Sequence, residues 1–209
     1  MISDSGLDGR AWVTLQKATD LRLVKALGLS GERFGRSFEE AFVALCLSSG
    51  ISPDPHVLDA IKQLAASVFT RQAPMVEGAV DVLAALSSHH ILVLHTQGEE
   101  WVQRKRIDQS RLESFFEYIY VVRRKDDTTF RGILDEIRVD PDEAWSIGNS
   151  LPSDINPALA IGMAGIWIPT HVWDHERRET GALPGRLHIV QSILEVPPLL
   201  DSDGTKESS

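Results

Sequence analysis

Cysteine is almost missing from this chain: Cys46 stands alone among 209 residues. One thiol excludes an intrachain disulfide and any metal site built from several thiolates. Its place in an apolar helical stripe marks it as a small buried residue rather than a reactive one. Long apolar runs are missing too. No stretch approaches the roughly 20 residues that span a bilayer, and no signal-like apolar segment opens the chain. Excess positive charge is also lacking, with 21 Lys+Arg against 30 Asp+Glu and a net charge of −9. That balance argues against nucleic acid or an anionic membrane as the main partner. It leaves room for a small anionic ligand, because a local site can differ from the mean field. A soluble, cytoplasmic protein is the expectation.

What is present is enough apolar residue, 43%, for a sizeable core. The length suits one large domain, or a core domain with a small one. Residues 1–19 form an N-terminal segment whose stretch Ala11–Leu15 reads in two ways. It is a short β-branched and aromatic strand, or the start of a helix that runs to Leu27 on apolar residues at helical spacing. Ser37–Leu47 reads as a helix with Ser37 as N-cap, Glu40 completing a capping box, and Phe38, Phe42, Leu45 and Cys46 as its apolar stripe. His56–Phe69 is a second amphipathic helix. Residues 20–72 are thus predicted to be a helical subdomain.

From residue 73 the rhythm changes. Helices at Glu77–Ser87, Glu99–Ser110 and Thr128–Ile137 alternate with apolar runs of strand length at Ile91–His95, Phe115–Val122 and Ala144–Ile147. Ala164–Pro169 reads as another strand, and Leu187–Leu194 as a last strand or short helix. Such alternation predicts βαβ units, a parallel sheet and right-handed crossovers. The core spans residues 73–196, and residues 197–209 are expected to be a disordered acidic tail.

Each of the three central strands ends in a polar group of a particular type. Thr96 follows the first, with Gln97 and Gly98 just beyond; Lys125 follows the second; Asn149, Ser150 and Asp154 follow the third. Ligands of open α/β sheets bind at the carboxyl ends of the strands. A hydroxyl with nearby N–H groups binds phosphate oxygens, and a lysine neutralises charge on them. Asn149 and Asp154 offer oxygen ligands to a hard cation such as Mg²⁺. A plain strand–helix connection, with Asp154 as an N-terminal helix charge, accounts for the last stretch about equally well.

The order Thr96, Lys125 and Gly148-Asn149-Ser-Leu-Pro-Ser-Asp154, followed by Asn-Pro-Ala-Leu-Ala-Ile-Gly-Met163, resembles the second, third and fourth motifs of the haloacid dehalogenase-like superfamily. The match is to the phosphatase branch with a helical cap, and it covers Ala73–Pro169. The resemblance implies a three-layer, Rossmann-like parallel sheet with an inserted helical cap. It implies a Mg²⁺-dependent phosphomonoester hydrolase acting on a small phosphorylated molecule. Thr96 and Lys125 take catalytic positions, Thr96, Gln97, Gly98 and Lys125 bind phosphate, and Asp154 and Asn149 bind metal. The fourth motif usually carries two acids, and here the first of them is Asn149.

The family's first motif, a strand ending in Asp-x-Asp, is not found. Placing Trp12–Leu15 as that strand sets Gln16 at the nucleophile position and Ala18 at the acid position. Glutamine cannot form an acyl phosphate, and alanine cannot move a proton. Two accounts stay open: a degenerate member that keeps the fold, or a sequence that begins after its first strand. The expectation is therefore an impaired hydrolase. Alternatives are a non-catalytic phosphate-binding or scaffolding protein and, more weakly, a 2-haloacid dehalogenase. His89 and His90 read as a solvated turn. His171 and His175 have zinc-like spacing without support. Trp167 and Trp173 suit the sheet edge or a homodimer interface.

Overall fold

The computed structural model describes residues 6–27, 30–69, 71–170 and 186–203. These fall into two compact units: Met1–Ala73 with Gly98–Val102, and Pro74–Gln97 with Gln103–Ser209.

The first unit is helical, with α1 (Gly9–Leu27), α2 (Gly31–Ser48) and α3 (Pro55–Ser67). Between the two readings of Ala11–Leu15, the structure decides for helix, and no strand forms there. Ala11, Trp12 and Leu15 pack together against the core, while Val13 is 45% exposed. A strand would have put Val13 on the same face as Ala11 and Leu15. Gln16 and Ala18 therefore stand on a helix and not at a strand end. Gln16 Nε2 donates to Ser37 Oγ at 3.0 Å, and Ala18 is exposed.

The expected cap at Ser37 is also corrected. α2 starts earlier, at a cap formed by Ser30, whose hydroxyl accepts from the Arg33 N–H at 3.1 Å. Ser37 is fully buried inside the helix and donates to the Phe34 carbonyl at 2.7 Å. The extra turn carries contacts that hold it helical: Phe34 rings pack on Phe38 and Phe69, and Arg33 pairs with Asp20. α3 begins one residue before the expected His56, with Asp54 accepting from the His56 N–H at 2.8 Å and Pro55 in the first turn. Leu7, Phe42, Leu45, Cys46 and Ile61 form the core of this unit. Cys46 is buried there, and burial raises the pKa of its thiol.

The second unit contains α4 (Ala79–Ser87), β1 (Val93–Gln97), α5 (Glu100–Ser110, whose first residues belong to the other unit), β2 (Tyr118–Val122), α6 (Asp127–Ile137), β3 (Trp145–Gly148), α7 (Asn156–Ala160), β4 (Ala164–Trp167), β5 (Leu187–Ile189) and α8 (Val196–Asp203). Among the described residues all strand pairs are parallel, as the alternation predicts. They form two pieces: β1 with β2, and β3–β4–β5. Val93 lies opposite Tyr118 and Gln97 opposite Val122; Trp145 lies opposite Ala164 and Gly148 opposite Trp167. Strand β4 is the most deeply buried, with Ile166 at 0% exposure. Around it gather Val82 and Leu86 of α4, Val190, and Val196 of α8. Phe130, Leu134, Ala158, Ile161 and Met163 form a second cluster between α6 and α7.

Residues 197–203 are not a disordered tail. They continue a helix that starts at Val196, whose side chain is fully buried, with Leu199 and Leu200 packed on the same cluster. Leu187–Leu194 turns out to hold both expected forms, a strand at Leu187–Ile189 and a 3-10 turn from Ile193 capped by Ser192. His171, Trp173, His175 and residues 204–209 lie outside the described residues. No described helix is long and apolar enough to cross a membrane.

Candidate active site

The carboxyl ends of β1, β2 and β3 are where the sequence placed its polar groups, and two of those groups meet. Lys125 Nζ donates to Asp154 Oδ1 at 2.6 Å, with the two side chains 15% and 9% exposed. Lys125 arrives there because β2 ends at Val122 and α6 is capped by Asp126, whose carboxylate accepts from the Thr129 N–H while Thr129 Oγ1 accepts from the Asp126 N–H. The backbone N–H of Lys125 donates to Gln97 Oε1 at 2.8 Å, which ties the end of β1 to the end of β2.

Asp154 is held from every side. Its Oδ2 accepts from the Ser150 N–H at 2.9 Å, and its backbone carbonyl accepts from the Ser146 hydroxyl at 2.8 Å. It sits in a π turn, Leu151–Ile155, that leads into α7. Gly148 has to be glycine for this turn to close: a Cβ there would meet the Asp154 carboxylate at 2.4–2.5 Å. The turn thus fixes one buried carboxylate against one buried ammonium.

The other expected residues are placed differently. Thr96 Oγ1 donates to Gln103 Oε1 at 3.1 Å, and Gln103 Nε2 returns to the Gln97 carbonyl at 3.2 Å. Gln103, on α5, was not singled out by sequence; its only signal was a polar residue on the helix that follows Thr96. Gly98 has φ +150°, a backbone form that side chains rarely take. Asn149 is exposed, its Nδ2 donating to the Thr170 carbonyl at 3.3 Å and its backbone carbonyl accepting from Trp167 Nε1 at 2.9 Å.

His95 stands in β1, next to Thr96. Neither ring nitrogen has a hydrogen-bond partner, and the ring meets Phe130 edge-on at 4.7 Å between centroids. Burial holds its pKa down at about 4, the Lys125 ammonium pushes the same way, and Asp154 and Asp126 oppose. The imidazole is therefore neutral at pH 7.

Among the described residues, no three His, Cys, Asp or Glu side chains gather. The donors beside Asp154 are hard oxygens all the same, and the buried Ser150 hydroxyl has no partner. A magnesium ion held by a single carboxylate, with water and phosphate completing its shell, fits such a set.

Residues 122–196 match the HAD-hydrolase-like family model. A haloacid dehalogenase-like family hydrolase from Xanthomonas campestris is 26% identical, with a TM-score of 0.73 over 90% of this chain and 74% of that one. A putative HAD-hydrolase from Bacillus subtilis, solved with magnesium, shares the fold at 19% identity and a TM-score of 0.63, over 93% of this chain and 84% of that one. The N-acylneuraminate-9-phosphatase of Mus musculus is 28% identical over 133 residues, 61% of this chain and 52% of that protein. The chain thus spans about half the length of the curated relatives it matches. Over residues 122–196 it is similar to the haloacid dehalogenase-like hydrolases.

Proposed function

We propose that this chain holds the phosphate group of a small phosphorylated molecule, as a relative of the Mg²⁺-dependent phosphomonoester hydrolases, and that the chain as it stands does not turn it over. The observation that carries the reading is the buried Lys125–Asp154 pair at the carboxyl ends of β2 and β3. An ammonium has three N–H donors and Asp154 takes one. Two remain for phosphate oxygens, in a site of low dielectric where such bonds are strong. The Thr96 hydroxyl is a further donor at the end of β1, reached by turning away from Gln103. Asp154, with Asn149, is the place for Mg²⁺, which when bound would neutralise phosphate charge. The phosphatase among the relatives supports a phosphate ligand over a haloacid.

The reason for no turnover is equally local. Phosphoryl transfer through an acyl phosphate needs a carboxylate nucleophile at the strand ends. Among the described residues no Asp or Glu stands at the end of a strand beside β1, and Gln16 and Ala18 lie on α1. The test is titration of the chain with inorganic phosphate and Mg²⁺, followed by ³¹P line broadening, beside an aryl phosphate assay. Phosphate should bind, Lys125→Met should abolish binding, and hydrolysis should stay at background. Hydrolysis that disappears in Asp154→Ala would overturn the non-catalytic part. Binding that survives Lys125→Met would overturn the site.

A further inference from the structure

Three cations stand in succession at the carboxyl end of β2: Arg123, Arg124 and Lys125, in a chain whose net charge is −9. Like charges so close repel one another, and burial does not offset this for the first two. Arg123 is exposed, and the Arg124 side chain is 81% exposed. Lys125 has its partner in Asp154. The acids that follow serve the start of α6 first. Asp126 Oδ1 accepts from the Thr129 N–H at 3.1 Å, and Asp127 Oδ1 accepts from the Thr128 N–H at 3.0 Å.

The two arginines are not equivalent. Arg124 Nε lies 3.9 Å from Asp126 Oδ2, so residues two apart meet on one side of the chain, as they do on extended backbone. Asp126 is itself extended, with φ −145° and ψ 176°. By the same alternation Arg123 and Lys125 share the opposite side. Lys125 turns inward onto Asp154. The Arg123 side chain has no ion pair or hydrogen bond among the described residues. Two extended residues separate their Cα atoms by roughly 7 Å. One side of the chain thus offers a buried ammonium and, just before it, an open guanidinium. The planar fork of a guanidinium suits a carboxylate or a phosphate.

We propose that Arg123 binds a second anionic group of the phosphorylated molecule. The site then takes a phosphomonoester that carries a carboxylate or a second phosphate roughly 7 Å from the first, in preference to a neutral phosphorylated sugar or alcohol. The proposal deepens the function above and rests on it: Lys125 takes the phosphate, and Arg123 takes the second anion. Arg124, drawn toward Asp126, takes no part. Water competes at an exposed guanidinium and salt screens it, whereas a bidentate pair is stronger than a single charged contact. Together these set the expected preference at about five- to tenfold.

The experiment is calorimetric titration of the whole chain with Mg²⁺ in about 0.15 M salt, where diffuse charge effects are screened. The probes are inorganic phosphate and two matched pairs: glucose 6-phosphate with 6-phosphogluconate, and fructose 6-phosphate with fructose 1,6-bisphosphate. The more anionic member of at least one pair should bind at least about fivefold tighter. The pair that shows the preference says whether the second group is a carboxylate or a phosphate. Arg123→Gln should remove the preference, with circular dichroism unchanged, and should alter the affinity for inorganic phosphate less than about twofold. Arg124→Gln should leave the preference in place. No preference in either pair would overturn the proposal, as would a preference that survives Arg123→Gln. Equal losses in Arg123→Gln and Arg124→Gln would mean a diffuse positive field and would overturn it too. Failure of inorganic phosphate and of all four sugar phosphates to bind would sink the phosphate reading, and this proposal with it. Phosphate binding without discrimination would sink the proposal alone.

Discussion

Replacing Asp154 by alanine takes a shared carboxylate out of a closed site. Lys125 Nζ loses an acceptor at 2.6 Å, and the Ser150 N–H loses one at 2.9 Å. Breaking a buried ion pair by removing one partner typically costs about 3–5 kcal/mol. Lys125 is still 15% exposed and can turn partly to water, which brings its share to about 2 kcal/mol. An orphaned buried N–H adds about 1 kcal/mol. The expected loss is about 3 kcal/mol, and Asp154→Asn, which keeps an acceptor for Ser150, should lose less, about 2 kcal/mol. A double-mutant cycle with Lys125→Met should give a coupling of about 1–3 kcal/mol. Urea unfolding read by hydrogen exchange of the β3 and β4 amides reports this unit by itself. A loss below about 1 kcal/mol for Asp154→Ala, or a coupling near zero, would refute the view that the pair is a buried, mutually dependent contact.

Two further outcomes come from the same region. His95 is depressed to about 4 from an unfolded value near 6.5. Between these values the unfolded chain binds the extra proton, so stability falls as pH drops from about 6.5 and the loss is complete below about 4, amounting to at most about 3 kcal/mol. The imidazole chemical shifts should show the low midpoint, and His95→Leu should flatten the pH dependence while stabilising the neutral chain by about 1 kcal/mol, because it removes two unpartnered ring nitrogens. Gly148→Ala places a Cβ on the Asp154 carboxylate and should cost about 2 kcal/mol in thermal unfolding and weaken phosphate binding as well; unchanged binding would separate the turn from the site.

Much of the second unit was legible because its signals are local. Apolar runs of strand length alternate with helical periodicity, and the polar residues at strand ends announce a ligand site. The helical nature of residues 20–67 was equally plain. Helix starts were harder. Ser37 followed by Glu40 has the form of a capping box, yet Ser30 is the cap, because Arg33 and Phe34 find tertiary partners that hold an earlier turn helical. The two leucines after Pro198 were read as part of a tail because Pro, Asp and Gly dominate there; packing against the cluster of α4 and β4 makes them a helix.

The sequence by itself determined the α/β class, the order of elements from α4 to β4, and the identity of the residues at the strand ends, since each depends on spacing along the chain. Only the tertiary structure decided that residues 9–27 are a helix, because strand and helix patterns are both present there and packing of Ala11, Trp12 and Leu15 breaks the tie. It alone brought Lys125 onto Asp154, 29 residues away, and turned Thr96 toward Gln103. It alone divided the strands into a β1–β2 pair and a β3–β4–β5 sheet among the described residues, because pairing is a relation between distant segments that no local pattern encodes.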